Sequence, residues 1–568
     1  MSVNQAKILR FVLSLWICGV WQLAGCGTGG KSFDEQNCGT AKYAADLPGE
    51  NLVYVNPACS GEGIPDGTLE SPYATIEQAL SSPAENIAIA EGTYDETVNI
   101  NRAVNLVGAG VQRTLIAPSG AENGVLVDSA ENVTVEGMKV EGSCQTGIRI
   151  QNSSAVSLHL LSSNGHDSAQ ECGGYGIFVI GSTDVDISEC TVQWNDSVGI
   201  AIHSSTGRIR ASQITNNGLG PQSSGIAIVH DSAIEVGGLA DFQDGDDFYP
   251  GCEVNSNTGA GIYVESASAN IEGNTVSQNT HGGIALADCP SANRPTVVDN
   301  DVASNVSFGI SVFGGSAEIS GNDVNLVTNC SEENPCFGHC VAVQPGSTPA
   351  SDVSISGNTV EACESAGILI HGDSSATITS NIVTGAELGG IWLQDGAIAT
   401  QLANNFLQDN DLAGLMLVSN ASANVVDNQI DTTSWGQHYD FYVTGQMVDM
   451  ADGIVVTRMS QSAGITLAGN EVLSSKRAGI ILDDIGEAQV TIGDGNIVAG
   501  NGEAGVALQG GAEDVFEADI LENKFQFTAE GVDPNGGAGD LVEGSQFGLA
   551  SFLEPADVGL CTPPDCNL

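Results

Sequence analysis

The stretch "NTVSQNTHGGIAL", residues 274–286, is too apolar for a loop and too polar for an ordinary buried segment. It recurs along the chain as "NDVASNVSFGISV" (300–312), "NIVAGNGEAGVAL" (496–508) and, with cysteine leading, "CEVNSNTGAGIYV" (252–264). The glycine that opens each G-I-x-I phrase falls at 124, 147, 176, 199, 225, 261, 283, 309, 367, 390, 414, 453, 479 and 505, and Cys340 takes the same role in "HCVAV". Successive positions are often 22 to 27 residues apart. Within each phrase β-branched residues stand two apart, the pattern of short strands with one buried face. A period near two dozen residues, with no helical periodicity between, predicts an all-β solenoid of parallel strands. Fifteen coils stacked about 4.8 Å apart would make a rod of roughly 70 Å.

Nine residues before many of these glycines stands an asparagine. Aligning the coils gives one slot occupied by Met138, His159, Cys190, Gln213 and Cys252, then by Asn274, Asn300, Asn322, Asn358, Asn381, Asn405, Asn428, Asn470, Asn496 and Asn523. A buried carboxamide both donates and accepts, so a column of them can satisfy the backbone at a turn and the rungs above and below. Cys190 and Cys252 then read as buried thiols in rung positions. Met138, His159 and Cys190 are soft-ligand types, but two coil steps, about 10 Å, are long for shared coordination; a ladder filled by whatever fits is the stronger reading. The outward residue of G-I-x-I is mostly apolar: Phe178, Ala201, Ala227, Tyr263, Ala285, Ala342, Leu369, Trp392, Met416, Val455, Ile481 and Ala507, with Arg149 the one charge. Such a stripe predicts a binding face or cover by another element, and otherwise the ordinary dressing of stacked strands.

The phrases resemble the repeats of the right-handed parallel β-helix of the pectin-lyase-like superfamily. "VYVNPACSGEGIPDGTLESPYATIEQAL" (53–80), "IAIAEGTYDETVNI" (87–100) and "VNLVGAGVQRTLI" (104–116) look like that superfamily's opening module. The resemblance implies a short capping helix over "YATIEQAL". It is weak for activity, because one scaffold hosts lyases, hydrolases, esterases and adhesins. The galacturonan-hydrolase motif order is not met: "RIR" (208–210) precedes "HGG" (281–283), and Asp483–Asp484 follows both. "DFYVTG" (440–445) matches the pectin-esterase motif only faintly, so no catalytic residue is carried over.

The first residues read as an export signal. Lys7 and Arg10 precede an apolar run from Phe11 to Trp21, too short to span a bilayer. "LAGC" at 23–26 resembles a bacterial lipobox, which implies lipid on Cys26, and Gly27 implies the outer membrane. The expected organisation is signal 1–25, tether 26–51, opening module with cap 52–116, β-helix repeats 117–530 and tail 531–568. Removing Lys7 and Arg10 with the signal would take the formal net charge from −55 to −57. Such a surface repels nucleic acid and anionic head groups, and polyanionic sugars unless divalent cations intervene. Fifteen cysteines suit an exported, disulfide-forming context.

Loops inserted on a rigid scaffold are the usual carriers of function. The loop 433–452 concentrates Trp435, His438, Tyr439, Phe441 and Tyr442; with Tyr263 and Trp392 these rings suit stacking on sugars, and their alternative is a local mini-core. The loop 237–252 holds Asp241, Asp244, Asp246 and Asp247, a candidate for Ca2+ and otherwise a solvated acidic turn. The expected function is a surface-tethered lipoprotein that binds extracellular polysaccharide or a surface partner. The alternatives are a polysaccharide lyase or glycoside hydrolase with a divergent site, and a structural envelope rod.

Overall fold

The computed structural model describes residues 41–44, 50–58, 64–166, 173–220, 223–238, 250–328, 338–434, 450–459, 463–509 (except 484, 486–487, 494 and 502–503), 524–526 and 541–543. The expected signal peptide, Cys26 and Asn523 lie outside the described residues. So do the four aspartates at 241, 244, 246 and 247, and the aromatic positions 435, 438, 439, 441 and 442.

Each coil contributes three short strands, as alternation with frequent turns requires. In one coil these are Ser268–Glu272, Thr275–Ser277 and Ile284–Cys289. Each pairs in parallel with its counterpart one coil on: Ile271 opposes Val297, Thr275 opposes Asp301 and Ile284 opposes Ile310. Three parallel sheets result, wound as a right-handed solenoid of about 14 turns. The inward residues, such as Val276, Ile284 and Leu286, are fully buried and join one continuous core along the rod. At the N-terminal end the short helix α1 (Ile76–Leu80) packs Ile76 and Ala79 onto that core, started by a capping box between Thr75 and Gln78.

The asparagine column is continuous from Asn274 to Asn496. Asn300 shows what a rung does. Its Oδ1 accepts from the backbone N and the Nδ2 of Asn274, at 2.9 and 3.0 Å. Its Nδ2 donates to the carbonyls of Ile271 and Val298 and to Oδ1 of Asn322. The same amide-to-amide bond, 2.9–3.0 Å long, joins every successive pair up to Asn470–Asn496. A second column at the next corner links Asn195, Asn217, Asn257, Asn279 and Asn305. The third corner carries serines, with Ser153, Ser182 and Ser205 each donating a backbone N–H to the hydroxyl of the next coil's serine.

Two assignments to the slot are corrected. The rungs between Met138 and Cys190 and between Cys190 and Cys252 are Leu161 and Ser212, not His159 and Gln213. Ser212 Oγ accepts from the backbone N of Cys190, and Leu161 is buried. His159 ends its strand on the outer side, where its ring meets Ser188, so Met138, His159 and Cys190 do not converge. The physical reason is a residue with positive φ immediately before the rung in most coils, among them Leu160, Glu189, Ala211, Gly273, Asp299, Gly321 and Ser380. That residue points outward and reverses the chain. A leucine there, at φ 50°, is unusual enough that composition alone does not reveal the shift. Trp194 and Leu326 occupy the equivalent place at the second corner, which is why two large apolar side chains stand exposed.

The G-I-x-I glycine also does something other than turn the chain. A Cβ on Gly283 would lie 2.4 Å from the carbonyl of Gly309 and 2.7 Å from Val302; lack of space, not a positive φ, requires glycine. Cys340 in that position is instead bonded to Cys363 of the next coil, with Cα atoms 5.6 Å apart.

Replacing a rung should therefore cost more than its exposed equivalent. Asn358→Ala leaves Asn322 and Asn381 and two carbonyls short of partners, at about 1–3 kcal/mol for each group left unsatisfied. We expect its thermal unfolding midpoint, followed by circular dichroism, to fall by several degrees, with Asn358→Asp lower still because a carboxylate has no donor, and Asn101→Ala at the surface unchanged. A wild-type midpoint for Asn358→Ala would show that the column does not hold the stack.

Candidate functional site

Parallel stacking in constant register turns the outward residue of G-I-x-I into a single row. It runs Leu126, Arg149, Phe178, Ala201, Ala227, Tyr263, Ala285, Ser311, Ala342, Leu369, Trp392, Met416, Val455, Ile481 and Ala507. The expected stripe is present, and it has two parts.

From Ala285 to Ala507 the row is buried. Trp392 is 1% exposed, and it belongs with Leu369, Met416, Val455 and Ile481 to a second apolar cluster outside the sheet, which also holds Leu388, Leu412 and Met450. Trp392 is therefore not an open stacking platform, although it faces away from the solenoid's interior as expected. Its indole N–H and the side-chain amide of Gln394 on the same strand are buried without hydrogen-bond partners. Beside this layer Arg477 forms a buried bidentate ion pair with Asp452: Nε donates to Oδ1 at 2.9 Å and Nη2 to Oδ2.

From Leu126 to Tyr263 the row is partly exposed at every position but Ala201. Tyr175, Phe178 and Tyr263 are each half-buried, with Tyr175 and Phe178 5.3 Å apart between ring centroids. Ala201 and Ala227 lie between Phe178 and Tyr263, so these two rings stand three strand spacings apart, about 14 Å. The guanidinium of Arg149 sits over Phe178, 5.1 Å from the centroid, and its Nε donates to Gln151 at 2.8 Å. Gln151, His203 and Glu265 line the row two residues along the same strands. Burial, and then the charge of Glu265, push the Tyr263 phenol well above its ordinary range, so it remains a neutral donor. Arg149 is the one arginine on this open stretch. Arg208 and Arg210 pair with Asp186 on the neighbouring sheet, and Arg294 pairs with Glu318 and Asp352.

Of the expected ligand-binding residues the structure thus keeps Tyr263 accessible and buries Trp392, and it does not bring the two together. It adds Tyr175 and His203, which sequence reading missed. Their signal was positional: "YGIFVI" and "GIAIH" place them three residues before and two residues after the outward residue of G-I-x-I.

The cysteines divide by place. Cys190, Cys252 and Cys289 are free and buried, with burial pushing the first two thiols up to about 12 and the third to about 11. They fill the interior and offer no nucleophile at neutral pH. Among the described residues no group of three or more His, Cys, Asp or Glu could hold a metal ion.

The family profile described as right handed beta helix region matches residues 123–231, 167–324 and 325–430, more than half of the chain. The chain belongs to the right-handed β-helix family. Among solved structures, this β-helix protein is similar to a variant of the periplasmic alginate epimerase AlgG, with 12% identity over 77% of this chain and 78% of that one, at a TM-score of 0.29. Lacto-N-biosidase from Eubacterium ramulus shares 12% identity over 66% and 67%, at 0.32. Pectate lyase Pel9A shares 14% over 54% and 78%, at 0.31. These are likenesses of fold alone. No curated protein matches the chain.

Proposed function

We propose that this β-helix protein binds an extracellular polysaccharide along the open half of its outer face. The observation that carries the reading is the set of half-exposed rings, with Phe178 and Tyr263 held in line by parallel strands across Ala201 and Ala227 and Tyr175 beside Phe178 on its strand. Rings in a straight, rigid row present apolar faces to successive sugars, and the alanines leave room for the sugar between. Arg149, Gln151 and Glu265 beside the row supply donors and acceptors for hydroxyls. Strands fix these groups without an ordering cost on binding, which suits a long, repetitive ligand better than a compact one. The charge of −55 favours a neutral glycan over a polyanionic one.

The sequence "LAGC" adds a second element to the proposal: a lipid on Cys26 tethers the rod to the outer membrane, with the periplasm or the cell exterior as its workplace. Radiolabelled palmitate fed to expressing cells should enter the full chain and be lost in Cys26→Ser; label retained by that variant would overturn the tether.

The binding reading is tested by glycan arrays probed with the purified chain, followed by calorimetry on the best neutral polymer. We expect Tyr263→Ala and Phe178→Ala each to weaken binding by about 1–2 kcal/mol, roughly 5–30-fold in Kd. Trp392→Ala should change stability in preference to affinity. Binding to no glycan, or affinities untouched by both ring substitutions, would sink the reading.

A further inference from the structure

In the coils on either side of Val229, the corner that follows G-I-x-I uses two residues between paired positions. His203 and Thr206 are separated by Ser204 and Ser205, and in the register His203 opposes Val229 while Thr206 opposes Ala233. Between Val229 and Ala233 stand three residues, His230, Asp231 and Ser232, and the next coil returns to two, Ser266 and Ala267 between Glu265 and Ser268. One inserted residue is thus accommodated in a single coil, and two consecutive residues there, His230 and Asp231, take positive φ. Its effect is to set the His230 ring against that of His203, with centroids 4.2 Å apart and planes at 54°.

Among the described residues no hydrogen bond holds either ring, and the Phe178 ring lies 6.5 Å from that of His203. The rings of His159, His166, His281, His339 and His371 each have a hydrogen-bond partner. His203 and His230 have none among the described residues, and both are accessible, His203 partly and His230 fully. The two tilted rings stand together at one corner, and each has nitrogen lone-pair chemistry to offer an ion there. Imidazole nitrogen suits late first-row divalent ions and does not suit Ca2+.

We propose that His203 and His230 form a two-imidazole site for a late first-row divalent cation such as Zn2+ or Cu2+. Each ring donates one nitrogen lone pair and the ion sheds two waters, with no change in oxidation state. Two protein ligands leave the remaining coordination positions to water or to oxygen atoms of a bound molecule. The acidic surface concentrates cations around the site. Asp231 and Glu265, which flank the corner, add to that local field. The site does not depend on the sugar-binding reading, and its test uses no glycan.

The full chain, stripped with chelator, is titrated with Cu2+ and followed by electron paramagnetic resonance, and separately with Zn2+ by calorimetry. The expected spectrum shows coupling to two imidazole nitrogens. His203→Ala and His230→Ala should each weaken binding about tenfold or more, the double variant should lose the signal, and His281→Ala, whose ring is already engaged, should bind as the wild type. A second measurement needs no variant: Zn2+ should protect both rings from diethyl pyrocarbonate, read by peptide mass spectrometry. A double variant with wild-type affinity, or rings modified equally with and without Zn2+, would show adventitious binding elsewhere and overturn the site.

Discussion

The hydrogen bond from one asparagine side chain to the next, repeated at about one strand spacing from Asn274 to Asn496, is the constraint on which the rest of the rod depends. A carboxamide is the side chain that can accept from the rung before it while donating to the rung after it and to a backbone carbonyl. Once each turn is closed in this way, every coil must lie over the last in the same register. Any insertion is then expelled to a corner or a loop and cannot slip the strands, because a one-residue slip would turn the interior valines and isoleucines outward.

Constant register makes the outer surface a set of columns. A property repeated at one position of the coil becomes a continuous line on the face. The outward position of G-I-x-I produces the ring row, and the same position in later coils produces the second apolar cluster around Trp392 and Met416. The corner that follows it sets His203 beside His230 where one coil carries a residue more than its two neighbours. The frame is generic and the chemistry is local, so the fold is shared widely while the site belongs to this chain.

The solenoid, its strands, the interior residues and nine described rungs were legible in the sequence because they repeat, and repetition exposes register without a structure. Met138, Cys190 and Cys252 were legible too, but the two rungs between them were not. Leu160 stands with positive φ where later coils use Gly, Asp, Ser or Asn, so His159 was taken for a rung that Leu161 fills. The division of the outer row was also hidden. Leu369 and Trp392 carry the same pattern as Phe178 and Tyr263, and their burial depends on contacts that lie far apart in sequence. The histidine pair was invisible for a similar reason: two residues 27 apart meet only once the corner insertion is placed in register.

The account's central claim is that one continuous face is open in its first half and sealed in its second. Hydroxyl-radical footprinting of the native protein, read by peptide mass spectrometry, tests it directly. Tyr175, Phe178 and Tyr263 should oxidise in the folded state, while Trp392 and Met416, both nearly fully buried, should oxidise only after unfolding. Rapid oxidation of Trp392 and Met416 in the native protein, or protection of Tyr175, Phe178 and Tyr263, would contradict it.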